Sequence, residues 1–366
     1  MSWTIISKKG VNMSENVKMR AKGAVIGAFI GDALALGPHW YYDLEKFRDD
    51  YGEWVDDYTA PKKGRYHEGL DAGDLSQSGY ILKMLLESIV ENKGYDEKDF
   101  CGRMDNDLFP QIDGTPVSGP GNYTSQSIRD AYRNRVLKNR KWGEFEGHAD
   151  TTEAIERTLG ITAYYAGDLK EACKNVYSNT ILTQSDELVA SMTVAFNAVL
   201  WMLINGYPLD EKISGRLMEK VNNKTLPFHA VTGDNLAPPE KGVSEPSRLG
   251  RFASPDALLT PSFIARAAED PGVSIEPAWK VSLVYGMPCA VYHILPSVYY
   301  LAARFKDDFE SAVLHAVNSG GQNMARAMLT GALVGAQAGI DGIPDRFIKG
   351  LREKDRLLKL TERLVD

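Results

Sequence analysis

The chain has 366 residues, 43% of them apolar and 25% charged, with a net charge of −7. That length can bury a large core, as one big domain or two smaller ones. The acidic balance and the lack of a long basic block exclude a nucleic-acid footprint, which needs clustered Lys and Arg, and no segment reads as long and apolar enough to span a membrane.

In chain order, MSWTIISKKG places its basic residues after a short apolar run, the reverse of a signal peptide. Residues 1–13 are expected to be disordered ahead of a folded region, 14–366. Ser14 is placed to cap a helix whose apolar pattern begins at Val17 and stops near Gly37-Pro38. Within it Gly23, Gly27 and Gly31 fall on one face, with Ala24 and Ala28 beside them. Glycine weakens a helix interior by about 1 kcal/mol against alanine, so this stripe predicts close approach by another backbone. A second stripe, Gly331, Gly335 and Gly339, lies in GALVGAQAG, and the two helices are expected to pair at the centre of the fold.

Residues 43–50 read as a short helix and 51–72 as loop. Ile81, Leu82, Leu85, Leu86, Ile89 and Val90 have helical spacing, predicting a helix over 74–91 with Asp74 at its start. The Pro- and Gly-rich stretch 105–123 delivers Gly119-Pro120-Gly121-Asn122 to a helix over 124–138. Helices over 151–165, 169–178, 186–204 and 210–221 follow. The stretch 222–254 holds Pro227, Pro238, Pro239 and Pro246 without an apolar period and reads as a long loop or insertion. Helices resume at Ala257. The stretch 287–305 reads as a helix with Pro288 in its first turn and a kink at Pro296. Segments 310–316 and 322–338 and a charged tail helix after Pro344 complete the chain. No alternating strand pattern occurs, so the fold class is all-α. Cys101, Cys173 and Cys289 have neither zinc nor disulfide spacing, and free thiols in a reducing, cytoplasmic setting are expected. Cys289 is read as core.

Each glycine helix adjoins a polar cluster. The first runs through Asp32 into His39-Trp40-Tyr41-Tyr42-Asp43, and the second follows Gly320-Gly321-Gln322-Asn323. If the helices cross antiparallel, the end of one meets the start of the other, and His39 approaches Gln322. Asp32, in an apolar helix, is expected to be buried and hydrogen-bonded. The aromatic corner is either a packed turn with satisfied polar tips or a wall for a base or sugar. His39 titrates near neutral pH and suits acid–base work. Asp74 is either a helix cap or a functional carboxylate, and His67 lies close enough in sequence to approach it. Arg326 can pair with an anion or with Asp32.

Taken in this order, the Gly/Ala helix running into GDAL, the GG loop feeding GALVGAQAG, and the GIP beyond it resemble the ADP-ribosylglycohydrolase superfamily. HWYYD, YHEGLDAGDLS, TQSDE and GGQNMAR are most similar to its branch of jellyfish J-type crystallins and selenoprotein J. The resemblance runs from about Gly23 to about Pro344. It implies a multi-helix domain with a cleft for a nucleotide-sugar ligand or an ADP-ribosylated substrate. It also implies a pair of magnesium ions held by a Thr-Asp-Asp-Thr run, a Glu after GDALG, and a late Gly-Gly-Asp-x-Asp-Thr run. Here those positions hold Ala72-Gly73-Asp74-Leu75, His39, and Gln322 with Met324. Magnesium needs several hard oxygen donors, and Asp74 alone remains as an acid, so the dinuclear site is expected to be degraded. A weak cation site at Asp74, with Asp71 or Asp43, stays open.

On this reading Asp74 and His39 are the candidate catalytic pair. Asp32, Asp43, His67, Ser76, Gly119, Gly121, Asn122, Gly321, Gln322 and Asn323 are the candidate substrate contacts. Three functions compete: a glycosidic-bond hydrolase with an altered metal site, a non-catalytic ligand-binding or crystallin-like protein, and a metal-free hydrolase using His39 with Asp74.

Overall fold

Two helices with glycine on their facing sides form the axis of the molecule. In the computed structural model, which describes residues 13–229, 241–242, 250–252 and 256–366, α1 spans Glu15–Leu34 and is buried from Gly23 to its end. Ser14 caps it by accepting the Val17 amide. Its partner, the helix over Asn323–Ala338, runs antiparallel to it. A methyl group built on Gly27 would meet the carbonyl of Gly331, one on Gly23 that of Gly335, and one on Gly31 that of Ala327. The paired stripes are therefore in backbone contact, as their spacing predicts. Gly339, whose backbone also lies against Gly23, ends the helix at φ 72°.

After α1, α2 covers Leu44–Tyr51, α3 Gln77–Asn92 and α4 Glu97–Arg103. The next four helices are α5 (Gln126–Tyr132), α6 (Glu153–Tyr164), α7 (Leu169–Thr180) and α8 (Glu187–Ile204). Then come α9 (Ile213–Asn222), α10 (Asp256–Glu269), α11 (Val281–Tyr285) and α12 (Val291–Arg304). The chain closes with α13 (Phe309–Val317), α14 (Asn323–Ala338), α15 (Asp345–Gly350) and α16 (Lys354–Val365). Among the described residues there are isolated bridges but no strand, and the chain is all-α. The expected disorder at residues 1–13 falls outside the described residues except at Met13, as does much of the expected 222–254 loop.

Several boundaries differ from the sequence reading. Asp74 does not open α3: Ser76 does, its hydroxyl accepting the Ser78 amide at 3.0 Å. Pro288 precedes α12, whose first residue is Val291, and Cys289 is half-buried in that bend rather than in a helix. The expected single tail helix is two, α15 and α16. Helix α8 has a mean hydropathy of 1.7 over 18 residues and is long and apolar enough to cross a membrane, contrary to expectation. Its apolarity has a local cause: it is buried among α6, α7, α10 and α14, and 78% of that window is buried. A core helix with neighbours all round loses the polar stripe of a surface helix.

Candidate functional site

The corner after α1 meets the turn before α14 at an isolated antiparallel bridge between Tyr41 and Gly321. Trp40 donates its amide to Gly321 O at 3.1 Å, and Gly321 donates back to Tyr41 O at 2.7 Å. Gly320 and Gly321 sit at φ 66° and 58°, and a side chain on Gly321 would strike Met287. Only glycine takes both the backbone and the space at no cost. Arg326, fully buried one turn into α14, holds this turn by donating to Ser319 Oγ at 2.8 Å and Gly320 O at 3.1 Å. Its other donors reach Ser297 Oγ and Gly286 O. Arg326 thus bonds neither Asp32 nor any other carboxylate among the described residues. Asn323 donates to Pro38 O at 3.1 Å and Val317 O at 2.9 Å, a tie that staples the corner from below.

On this frame a chain of side chains runs through the interior. Gln322 lies 2.7 Å from His39 Nε2, His39 Nδ1 lies 2.7 Å from His67 Nε2, and His67 Nδ1 lies 2.5 Å from Gly121 O. The proton positions follow from the last link. A carbonyl only accepts, so His67 Nδ1 carries a proton. If His67 is neutral, its Nε2 accepts, and His39 must donate from Nδ1. Burial disfavours the imidazolium form of both rings, pushing His67 down to about 4 and His39 well below its ordinary value. The structure turns Gln322 Oε1 toward His39 Nε2, which a neutral ring donating from Nδ1 cannot serve; the bond network therefore assigns the flipped amide, with its NH2 donating to Nε2. His67 and Trp40 are held with left-handed backbones, φ 68° and 65°, as is Asn122 at 49°. Such conformations cost about 1–3 kcal/mol each and persist only where surrounding bonds over-determine them.

Over this chain lies an aromatic wall. Trp40 and Tyr66 stack at 4.8 Å, and Tyr123 stands edge-on to Tyr66, Trp40 and His39 at 5.0, 5.5 and 5.7 Å. Arg65 lies over the Tyr41 ring at 3.8 Å and donates to Trp40 O. A cavity of about 570 Å³ opens on the outer side, lined by Trp40, Gly64, Arg65, Tyr66, Glu68 and Val117.

Behind the first residues of α3 the interior is acidic. Asp32, fully buried, accepts the Ser76 amide at 2.9 Å and the Ser76 hydroxyl. Glu156 is buried in the first turn of α6 and accepts from Thr152 Oγ1 at 2.6 Å and from Ser78 Oγ. Glu153, half-buried at the start of α6, accepts from Thr151 Oγ1, and its charge reaches Tyr123 and Cys289. Burial raises all three carboxyls, Asp32 to about 6 and Glu156 to about 7, and Glu153 adds to the rise at Glu156. Gln184 fixes the turn that presents Glu153: it accepts the Ala154 amide at 2.8 Å and donates to Ala149 O and Thr151 O. Gly119, Gly121 and Asn122 form a turn packed on the first residues of α3, where a side chain on Gly121 would collide with Ser76 and Gln77.

The structure corrects the proposed pairing of Asp74. Its carboxylate accepts the Asp71 amide at 2.8 Å and pairs with Arg352 at 3.1 Å. His39 and His67 bond each other instead, and among the described residues no carboxylate is hydrogen-bonded to His39. Asp43 is exposed and caps α2 by accepting the Glu45 and Lys46 amides. The residues at the implied metal positions do not fit a magnesium pair. Asp74 is engaged by a guanidinium, Gln322 by His39, and Met324 is a buried thioether. Among the described residues no group of three or more His, Cys, Asp or Glu side chains is arranged to hold a metal ion.

Glu153 and Glu156 are absent from the sequence-level candidates. The available signal is the Glu156-Arg157 pair inside an otherwise apolar helical pattern, since α6 buries both charges. Tyr123 and Arg65 carry no such signal, because isolated aromatic and basic residues in loops are common.

This fold and cleft have known counterparts. The ADP-ribosylglycohydrolase family's profile matches residues 13–366, and the chain belongs to that family. Crystallin J1A of Tripedalia cystophora is 24% identical over 367 aligned positions, covering 96% of this chain and 98% of the crystallin. An uncharacterized protein of Archaeoglobus fulgidus is 23% identical, over 94% of this chain and 95% of its own length. Crystallin J1B of the same jellyfish is 27% identical over 42% of this chain and 49% of its own. A solved structure titled as an ADP-ribosylglycohydrolase-related protein complex superposes with a TM-score of 0.60 at 16% identity, covering 96% of this chain and 99% of that one. At that identity the match concerns the fold.

Proposed function

We propose that the chain binds ADP-ribose or a related nucleotide sugar in the recess around Tyr123 and hydrolyses a glycosidic bond to it without a dinuclear metal centre. The observation that carries this reading is the cavity of about 570 Å³ that Trp40, Tyr66 and Arg65 line together, with Tyr123 edge-on behind the two stacked rings. The face of Trp40 or Tyr66 suits a base, and Arg65 suits a phosphate oxygen. Family membership supports an ADP-ribosyl group as the ligand class. The three free thiols support a cytoplasmic setting.

A second reading, a ligand-binding or structural protein without turnover, is favoured by the missing metal acids and by the crystallin names of two relatives. Calorimetry with ADP-ribose, with and without magnesium, combined with turnover of ADP-ribosylated peptides, separates the two. Magnesium-independent binding with turnover supports the hydrolase. Binding without turnover supports the second reading, and absence of binding overturns the assignment of the recess to ADP-ribose.

A further inference from the structure

Two charges line the cavity of about 570 Å³, each held in place by bonds that use only part of its capacity. Arg65 lies over the Tyr41 ring at 3.8 Å and donates one guanidinium N–H to Trp40 O at 2.9 Å. A guanidinium has five N–H donors, so most of its capacity is left for a ligand. Glu68 accepts the Gly64 amide on Oε2 at 2.7 Å, which closes its own loop. Asn122 fixes the same residue by donating to Glu68 O at 2.7 Å. The second carboxylate oxygen, Oε1, remains as an acceptor. Among the described residues neither Arg65 nor Glu68 forms an ion pair, with the other or with a third group. A cation and an anion are thus set apart in one opening, beside the Trp40 and Tyr66 rings stacked at 4.8 Å. That set is complementary to a ligand with an aromatic face, an anionic group at one point and hydrogen-bond donors at another.

We propose that Glu68 is the specificity-determining residue of this cavity: its carboxylate accepts the hydroxyls of the ribose joined to the base, so the protein takes nucleotides with a free 2′,3′-diol and rejects those carrying a 2′-phosphate. The role of Glu68 rests on the nucleotide-sugar reading above and narrows its ligand class. A carboxylate has two acceptor oxygens and no donor. It therefore matches a pair of neighbouring hydroxyls and repels a phosphate placed on either of them. With the base against a ring of the stack, the ribose bonded to it stays inside the same opening. Among the described lining residues Glu68 alone carries a negative charge. Arg65, the one cation in that lining, takes the phosphate oxygens on the other side of the ribose. The bonds from Gly64 and Asn122 hold Glu68 before any ligand arrives, which lowers the ordering cost of binding.

The test titrates the full chain and its Glu68→Gln variant calorimetrically with three probes: ADP-ribose, its derivative phosphorylated on the adenosine 2′-hydroxyl, and its hypoxanthine analogue, which lacks the base amino group. The parent chain is expected to bind ADP-ribose at least about tenfold more tightly than the 2′-phosphate, the like charges standing face to face. It is expected to bind the hypoxanthine analogue as tightly as ADP-ribose. Glu68→Gln keeps an acceptor for the Gly64 amide and removes the charge. It is expected to gain affinity for the 2′-phosphate, a change that loss of folding cannot produce. Equal affinities in the parent chain, a preference for the 2′-phosphate, or no gain in the variant overturns the role of Glu68 and leaves the nucleotide-sugar reading standing. Weaker binding of the hypoxanthine analogue that disappears in Glu68→Gln puts the carboxylate on the base edge and overturns the diol assignment. No binding of ADP-ribose by the parent chain overturns both readings.

Discussion

His39 Nδ1 and His67 Nε2 lie 2.7 Å apart in the interior, two imidazoles joined in a chain that ends on Gly121 O. The pair ties together the corner after α1, the loop before α3 and the turn packed on α3. Burial is the leading cause of the low proton affinity of both rings, and a second positive charge beside the first would lower that of His39 further.

Acid should therefore loosen the protein. The folded chain holds His67 at about 4 against an ordinary 6.5, so the unfolded chain takes up the proton first. The contribution of His67 is complete above 6.5 and is lost as pH falls from there toward about 4. His67→Ala should reduce this acid sensitivity while costing about 1–3 kcal/mol at neutral pH by leaving His39 and Gly121 without partners. Urea unfolding over a pH series checks both, and an unchanged acid limb would count against the neutral chain.

Glu156 should produce the opposite slope. Its carboxyl is raised from 4.5 to about 7 by burial, so the folded chain holds the proton more tightly than the unfolded one. Its contribution is complete below 4.5 and declines as pH rises through about 7. The two slopes overlap, and so the difference between Glu156→Gln and the parent is the informative quantity. The variant should become relatively more stable with rising pH, by an amount on the order of a few kcal/mol at most.

At the centre of the fold, Gly27→Leu or Gly335→Leu should overpack the helix pair and cost at least about 1–3 kcal/mol, because added atoms meet backbone and cannot rotate away. Gly215→Ala on α9 is the control: nothing lies within 4 Å of the added methyl, and helix propensity predicts a gain of up to about 1 kcal/mol. Denaturant midpoints of the three variants check this. Equal effects at Gly27 and Gly215 would mean that the stripe is not a packing feature.

Magnesium should change the melting temperature little, since stabilisation by a ligand scales with occupancy and Arg352 already engages Asp74. A large shift at micromolar magnesium, abolished by Asp74→Asn, would show that other acids have taken over the ligand role.

Periodicity and small-residue spacing were enough to determine that the chain is helical and that its two glycine stripes touch, because both rest on local repeats. The antiparallel crossing expected of those stripes brought His39 toward Gln322. What surrounds His39 was decided elsewhere. His67 comes from a loop whose left-handed backbone no periodicity announces, and Asp74 is drawn off by Arg352 from the far end of the chain. Glu156 is held in the interior because Ser78 of α3 closes over it, and Glu153 is presented by a turn that Gln184 fixes from another helix end. Sequence spacing specifies which face of a helix a carboxyl occupies. Whether that face meets water, a guanidinium or two hydroxyls depends on residues distant in the chain, and with them its charge at neutral pH.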